Sequence, residues 1–175
     1  MQYRLILSLA LAAAAGMGAC SPVLDWREFE PEGSGIIATF PCRTDRHARQ
    51  VTVAGAFTRM DMLVCTAGGA TYALAFIDVA GPEGVTAALA DLRAVAARNL
   101  GAAAPVASPV QVRGMTPNPM AARLRLSGLR PDGTVVHEQA ALFVKGLRVY
   151  QASVIGPSLD TEAVDTFFSG LKLSS

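Results

Sequence analysis

The chain has 175 residues, of which 17% are charged, with 15 Lys+Arg against 14 Asp+Glu and a formal net charge of +1. That length suits one domain with a core large enough to stand without metal or many disulfides. The balance excludes the basic field that recruits nucleic acid and the polybasic tail that recruits anionic lipid.

Met1 to Arg4 is a short start with one basic side chain, and Leu5 to Ala15 is apolar except for Ser8. Small residues follow as far as Cys20. Basic, apolar, then small is the layout of a secretory signal. The run is shorter than the roughly 17–25 residues of a spanning helix. Its last four residues, Met17-Gly18-Ala19-Cys20, resemble the bacterial lipoprotein signal, in which a large apolar residue and two small ones precede an acylated cysteine. Met17 stands where leucine is usual. The resemblance implies a signal peptide over 1–19, acylation of Cys20 and anchorage in the cell envelope. Ser21, in place of aspartate, implies by likeness to enteric lipoproteins an outer-membrane protein facing the periplasm.

The alternative is ordinary cleavage after Ala13-Ala14-Ala15, with Cys20 left as a thiol. Cysteine arithmetic opposes it. The chain has three cysteines, Cys20, Cys42 and Cys65, and acylating the first leaves an even pair for an oxidising compartment. Arg4 is the only charged side chain in 1–19, so the remaining 156 residues (175 less 19) carry 14 charges of each sign.

Residues 20–35 read as a lipidated N-terminus and tether, because Pro22, Pro31, Gly33 and Gly35 interrupt regular structure. Trp26 within it reads as a residue that docks the segment on the domain. A single domain over 36–175 follows. Ile36–Phe40 reads as a strand closed by Pro41, then Gln50–Ala54, Phe57–Thr66 and Ala70–Val79 as three more, together an antiparallel four-strand meander. Pro82–Leu100 changes period: Val85, Leu89, Leu92 and Ala96 share one helical face, with Pro82 at the start and Gly101 past the end.

Ala102–Pro109 reads as a loop, Val110–Arg113 as a short strand, and Gly114–Pro119 as a tight segment able to form a pocket rim. Ala121–Ser127 alternates as a half-exposed strand. Pro131-Asp132-Gly133 is a turn. Thr134–Val144 and Leu147–Ile155 read as a hairpin with two apolar sets, Ala141, Phe143, Tyr150, Ala152 and Val154 against Val136, Ala140, Leu142, Val144 and Val149. Helices on both faces of one sheet would account for both sets. A second helix runs from about Asp160 to Ser169, capped by Ser158 or Asp160 and ended by Gly170, before the extended tail Leu171-Lys172-Leu173.

The order predicts an α+β fold: a largely antiparallel sheet of about six to eight strands, one helix after the first meander and one at the C-terminus. Three segments, Ile37-Ala38-Thr39-Phe40-Pro41, Leu147-Arg148-Val149-Tyr150-Gln151 and Thr166-Phe167-Phe168-Ser169-Gly170-Leu171, resemble small exported domains of the photosystem II extrinsic-protein (PsbP-like) fold. That resemblance implies a fold and no activity.

Cys42 and Cys65 sit where two strands could bring them together, which favours a structural disulfide. The competing reading is a thiol or metal centre built from Cys42, His47, Cys65 and His137; neither cysteine lies in a Cys-x-x-Cys motif, and Cys42 to His47 matches zinc spacing poorly. Arg43, Asp45, Arg46, His47 and Arg49 form the densest polar run, either an anion or ligand contact through Arg43, Arg46, His47 and Arg49 or a solvated connection between strands. No Gly-x-Ser-x-Gly supplies a nucleophile for an Asp45–His47 pair. Gly68-Gly69 precedes a strand and is no phosphate loop. Asp61 reads as an exposed strand position. The expectation is an envelope lipoprotein without catalytic residues, metal or cofactor, held to the membrane by its anchor, binding an envelope partner or small ligand and no nucleic acid.

Overall fold

The computed structural model describes residues 23–102, 105–130 and 132–174; the expected signal peptide and Cys20 lie outside them. The elements in order are β1 (Arg27–Phe29), β2 (Ile36–Phe40), β3 (Asp45–Val53), β4 (Ala56–Ala67), β5 (Ala70–Asp78), α1 (Pro82–Asn99), β6 (Val106–Ser108), β7 (Ala122–Leu129), β8 (Val135–Lys145), β9 (Arg148–Gly156), α2 (Thr161–Ser169) and β10 (Lys172–Leu173). The fold is α+β, as the element order predicts. A seven-stranded sheet of order β3-β4-β5-β9-β8-β7-β6 pairs antiparallel throughout, and a three-stranded sheet of order β1-β2-β10 stands apart from it.

Both faces of the large sheet are covered. One apolar cluster joins Val136, Ala140, Leu142, Val144 and Val149 to Val85, Ala88, Leu89, Leu92 and Ala96 of α1. The other joins Ala141, Phe143, Tyr150, Ala152 and Val154 to Val164, Phe167 and Phe168 of α2 and to Ile36, Ala38 and Phe40 of β2. These are the two sets of the β8–β9 hairpin, now separated by the pleat, which sends alternate side chains to opposite faces. On the α2 face, Phe40, Tyr72, Phe167 and Phe168 meet edge to face at centroid distances of 5.2–5.4 Å, while Phe143 stacks on Tyr150 at 5.1 Å.

The helix ends follow local chemistry. Asp160 caps α2 by accepting from the Ala163 N–H at 2.8 Å. At the end of α1, the Gly101 N–H donates to Arg98 O and the Ala102 N–H to Ala97 O, the paired bonds of a Schellman cap. That end lies on the sheet at Gly128, where a Cβ would stand 1.8 Å from Leu100 O.

Four expectations are corrected. Ile36–Phe40 does not join the meander, which is β3-β4-β5 alone; its inward residues Ile36, Ala38 and Phe40 instead roof the α2 face. Residues 106–108, read as loop, form edge strand β6; all three are exposed, so no apolar alternation marks them. Val110–Arg113 is no strand beyond a single bridge from Arg113 to Lys172, because Val110 and Val112 pack into the core. The stretch before Gly35 is not a free tether. Arg27–Phe29 pairs with Ala38–Phe40, Trp26 meets the edge of Tyr72 at 6.2 Å, and Phe29 packs on Phe40.

Four successive carbonyls of that stretch are held by distant parts of the chain. Arg46 donates to Glu32 O at 3.1 Å, Arg148 to Gly33 O, the Tyr150 hydroxyl to Ser34 O at 2.8 Å, and the Ser174 N–H to Gly35 O at 3.0 Å. Ser34 is fully buried, with its hydroxyl on Pro31 O at 2.6 Å. Buried backbone groups must be paired, and here side chains of the sheet supply the partners.

Two outcomes follow from this packing. Gly128→Ala forces a Cβ into the backbone of Leu100, so the variant is expected to lose roughly 2 kcal/mol or more, read as a lowered denaturant midpoint. Glu138 is 7% exposed on the α1 face, level with Leu126 and Ile155, and burial pushes its carboxyl up to about 7 from 4.5. The unfolded chain ionises nearer 4.5, so the native state is favoured below that pH and loses stability as pH rises to about 7. Glu138→Gln is expected to be more stable than the parent above pH 7, by on the order of 3 kcal/mol, with the gap closing toward pH 4.5 in denaturation series across pH.

Candidate functional site

Cys42 follows β2 and Cys65 lies on β4, and their sulfurs are bonded at 2.11 Å with 6.0 Å between Cα atoms. Cys65 faces the α2-side core beside Tyr72, its cross-strand partner. The bond therefore ties the roof strand to the sheet beneath it. It also removes both thiols from any metal or redox set. His47 and His137 sit on β3 and β8, four strand spacings apart, roughly 19 Å at the usual inter-strand distance. The four residues of the thiol or metal reading do not form one site.

The polar run 43–49 belongs mostly to β3 and is not a connection between strands. It is exposed at the sheet edge. The pleat splits it. Arg46 lies opposite Leu63 on the α2 side, while His47 and Arg49 lie opposite Met62 and Met60 on the α1 side. Arg46 reaches Asp61 at 3.3 Å as well as Glu32 O. Asp61 also accepts from Arg59 at 2.9 Å, and hydrogen bonds from these two arginines hold its carboxyl below its ordinary range. Far from being an exposed strand position, the Asp61 side chain is only 13% accessible. Arg46, Arg59 and Asp61 share a cavity of about 190 Å³ with Arg148 and Asp78, which form a two-pronged ion pair at 2.7 and 2.6 Å. The guanidiniums here are committed to carboxylates and to the carbonyls of residues 32 and 33.

A cleft of about 560 Å³ is walled by residues 109–121. Gly114 to Asn118 form part of its rim, where the Pro/Gly-rich spacing places one. The rim is fastened at both ends. Leu173 N–H donates to Arg113 O at 2.9 Å, Thr116 N–H to Val144 O at 2.7 Å, and Asn118 Nδ2 to the Thr86 hydroxyl of α1 at 3.2 Å. Gly114, at φ +83°, lies against Leu173, whose carbonyl oxygen would be 3.0 Å from an added Cβ. Gln111, Arg113 and Asn118 bring polar groups to a wall otherwise made by Pro109, Val110, Met115 and Pro117.

Behind the Pro109–Val112 wall lies Arg123, which the strand pattern marks only as one alternating polar residue. Its guanidinium stacks on Phe168 at 3.3 Å and donates to Gln139 Oε1 at 2.8 Å, and its buried Nε has no partner. Burial lowers it to about 10, against the attraction of Asp165, so it stays cationic at neutral pH. Nothing local in Arg123-Leu124-Arg125 distinguishes the stacked arginine from the exposed one. His137 contacts the Ser127 hydroxyl at 2.8 Å across the ladder, with Ser127 exposed. Among the described residues no cluster of three metal-ligating side chains accompanies the cleft.

No family profile and no curated protein matches this sequence. A solved crystal structure from Bacteroides thetaiotaomicron VPI-5482 is similar over 86% of this chain, with a TM-score of 0.39 and 11% identity; the chain spans 42% of that protein's length.

Cys42 and Cys65 enclose a loop with a sequence separation of 23. Replacing both by serine is expected to cost about 3 kcal/mol of stability through the freer unfolded chain, measured by denaturant unfolding against the parent under non-reducing conditions. Retention of parental stability would show that the roof needs no covalent tie.

Proposed function

We propose that this chain is an exported lipoprotein of the bacterial envelope, acylated at Cys20, whose domain acts by binding rather than by catalysis. The observation that carries the reading is the pairing of the two other cysteines with each other. A disulfide suits the oxidising space outside the cytoplasm. It leaves Cys20, at the end of the Met17-Gly18-Ala19-Cys20 signal, as the one cysteine with a separate fate. The outer membrane, periplasmic side, is the location that Ser21 favours.

The binding reading draws support from the cavity around Asp61 and Arg148, whose charged side chains are engaged in holding the fold. Arg46 and Arg148 fasten the N-terminal stretch, and Asp61 and Asp78 hold those two arginines. The 560 Å³ cleft, with a rim fixed to β8, β10 and α1, is the place for a ligand or a partner's side chain. The resemblance to photosystem II extrinsic-type domains implies a fold and adds no activity.

Cys20→Ser is expected to leave the domain folded, with its Cys42–Cys65 bond intact, and to move it from the membrane to the soluble fraction. Fractionation with mass spectrometry of the N-terminus reads this directly. A Cys20→Ser protein that stays with the membrane, or a parent chain without an acyl group, would end the lipoprotein reading.

A further inference from the structure

We propose that the domain stands on the lipid surface with one defined end, and that the tip of the β7–β8 hairpin, Leu129 and Val135, is its apolar contact. This rests on acylation of Cys20, and it adds an orientation that acylation alone does not specify.

The anchor is close to the body of the domain. Because residues from Leu24 onward are built into the fold, only three peptide steps separate Cys20 from Val23, at most about 11 Å. Val23 and Leu24 lie over the β4–β5 turn, where Leu24 Cδ2 would be 3.2 Å from a Cβ on Gly68. An acyl group on Cys20 therefore holds this end of the sheet near the headgroups.

The strand register puts the β7–β8 tip on the same rim. Thr71, Ile155, Glu138 and Leu126 are level across β5, β9, β8 and β7. Gly69 lies two residues past that line, and Leu129 and Val135 each lie three past it, so both turns project to a similar height of roughly 7–10 Å. Leu129 and Val135 are direct cross-strand partners, 64% and 48% exposed, and Val23 is 76% exposed. They belong to the pleat side that carries α2 and the N-terminal stretch.

Exposure alone does not choose this end. Phe57 is 84% exposed at the opposite end of β4, roughly 35 Å along the strand from Gly68. The position of the anchor chooses. The charges about the hairpin tip and the start of α2 are mixed, with Arg130 against Asp132, Asp160 and Glu162, so the contact is made by apolar side chains and not by attraction to anionic lipid. A second apolar contact beside an acyl anchor strengthens membrane holding in the way two weak signals do.

The test uses the full acylated chain in neutral phosphatidylcholine vesicles, with a fluorophore on Leu129→Cys or, separately, on Phe57→Cys. Lipids carrying a quencher are expected to diminish emission at 129, at low and high salt alike, and to leave emission at 57 unchanged. Val135→Cys repeats the reading if Leu129→Cys misfolds. Equal emission at the two ends, in protein that floats with vesicles and carries acylated Cys20, would overturn the orientation while the lipoprotein reading stands. Quenching that vanishes in high salt would overturn the apolar contact. Protein that neither floats nor carries an acyl group would remove both.

Discussion

The central sheet is apolar on both faces, and that constraint governs the rest of the molecule. Ala140 to Val144 are buried without interruption on β8, so the usual alternation between core and water is absent there. Uncovered apolar surface costs roughly 25 cal/mol for each Å² left in water. One helix cannot cover both sides. α1 takes one face, and α2 with the β1-β2-β10 sheet takes the other.

Covering the second face recruits the N-terminal stretch. β2 roofs the sheet, β1 and β10 pair with β2, and the disulfide ties the end of this roof to β4. The carbonyls of residues 32–35 then need partners, and Arg46, Arg148, Tyr150 and the backbone of Ser174 supply them. The segment from Leu24 onward, read from the sequence as a tether, is thereby part of the domain. If Cys20 carries the proposed lipid, that lipid would hold a body and not a leash.

The same commitments shape the chemistry. Arginines that read as a candidate anion contact on the linear chain are divided between two faces of β3, and Arg46 is occupied by Asp61 and a carbonyl. The cleft beside residues 109–121 escapes this fate because its rim is fixed through backbone and amide bonds, leaving Gln111 and Arg113 exposed at its wall. Arg123 is the exception: it is partly buried, stacked on Phe168 and incompletely satisfied.

By itself the sequence determined the α+β class, both helices with the end at Gly101 past the first and Ser158 or Asp160 as the cap of the second, the long hairpins, the rim at Gly114–Pro119 and the two apolar sets of β8 and β9; the structure chose Asp160. These are written in local periodicity and end-residue chemistry, which act over a few residues. Only the tertiary structure decided that Ile36–Phe40 leaves the meander, that Val106–Ser108 closes the sheet edge, and that the supposed tether is clamped. Those outcomes depend on partners far along the chain: Tyr150 and Arg148 stand well over a hundred positions from the carbonyls they bind. Pleat direction likewise decided that Arg46 and His47 part company, since neighbours in a strand face opposite ways. Composition and spacing carry no record of such pairings, because which distant groups meet is settled by how the two sheet faces are covered.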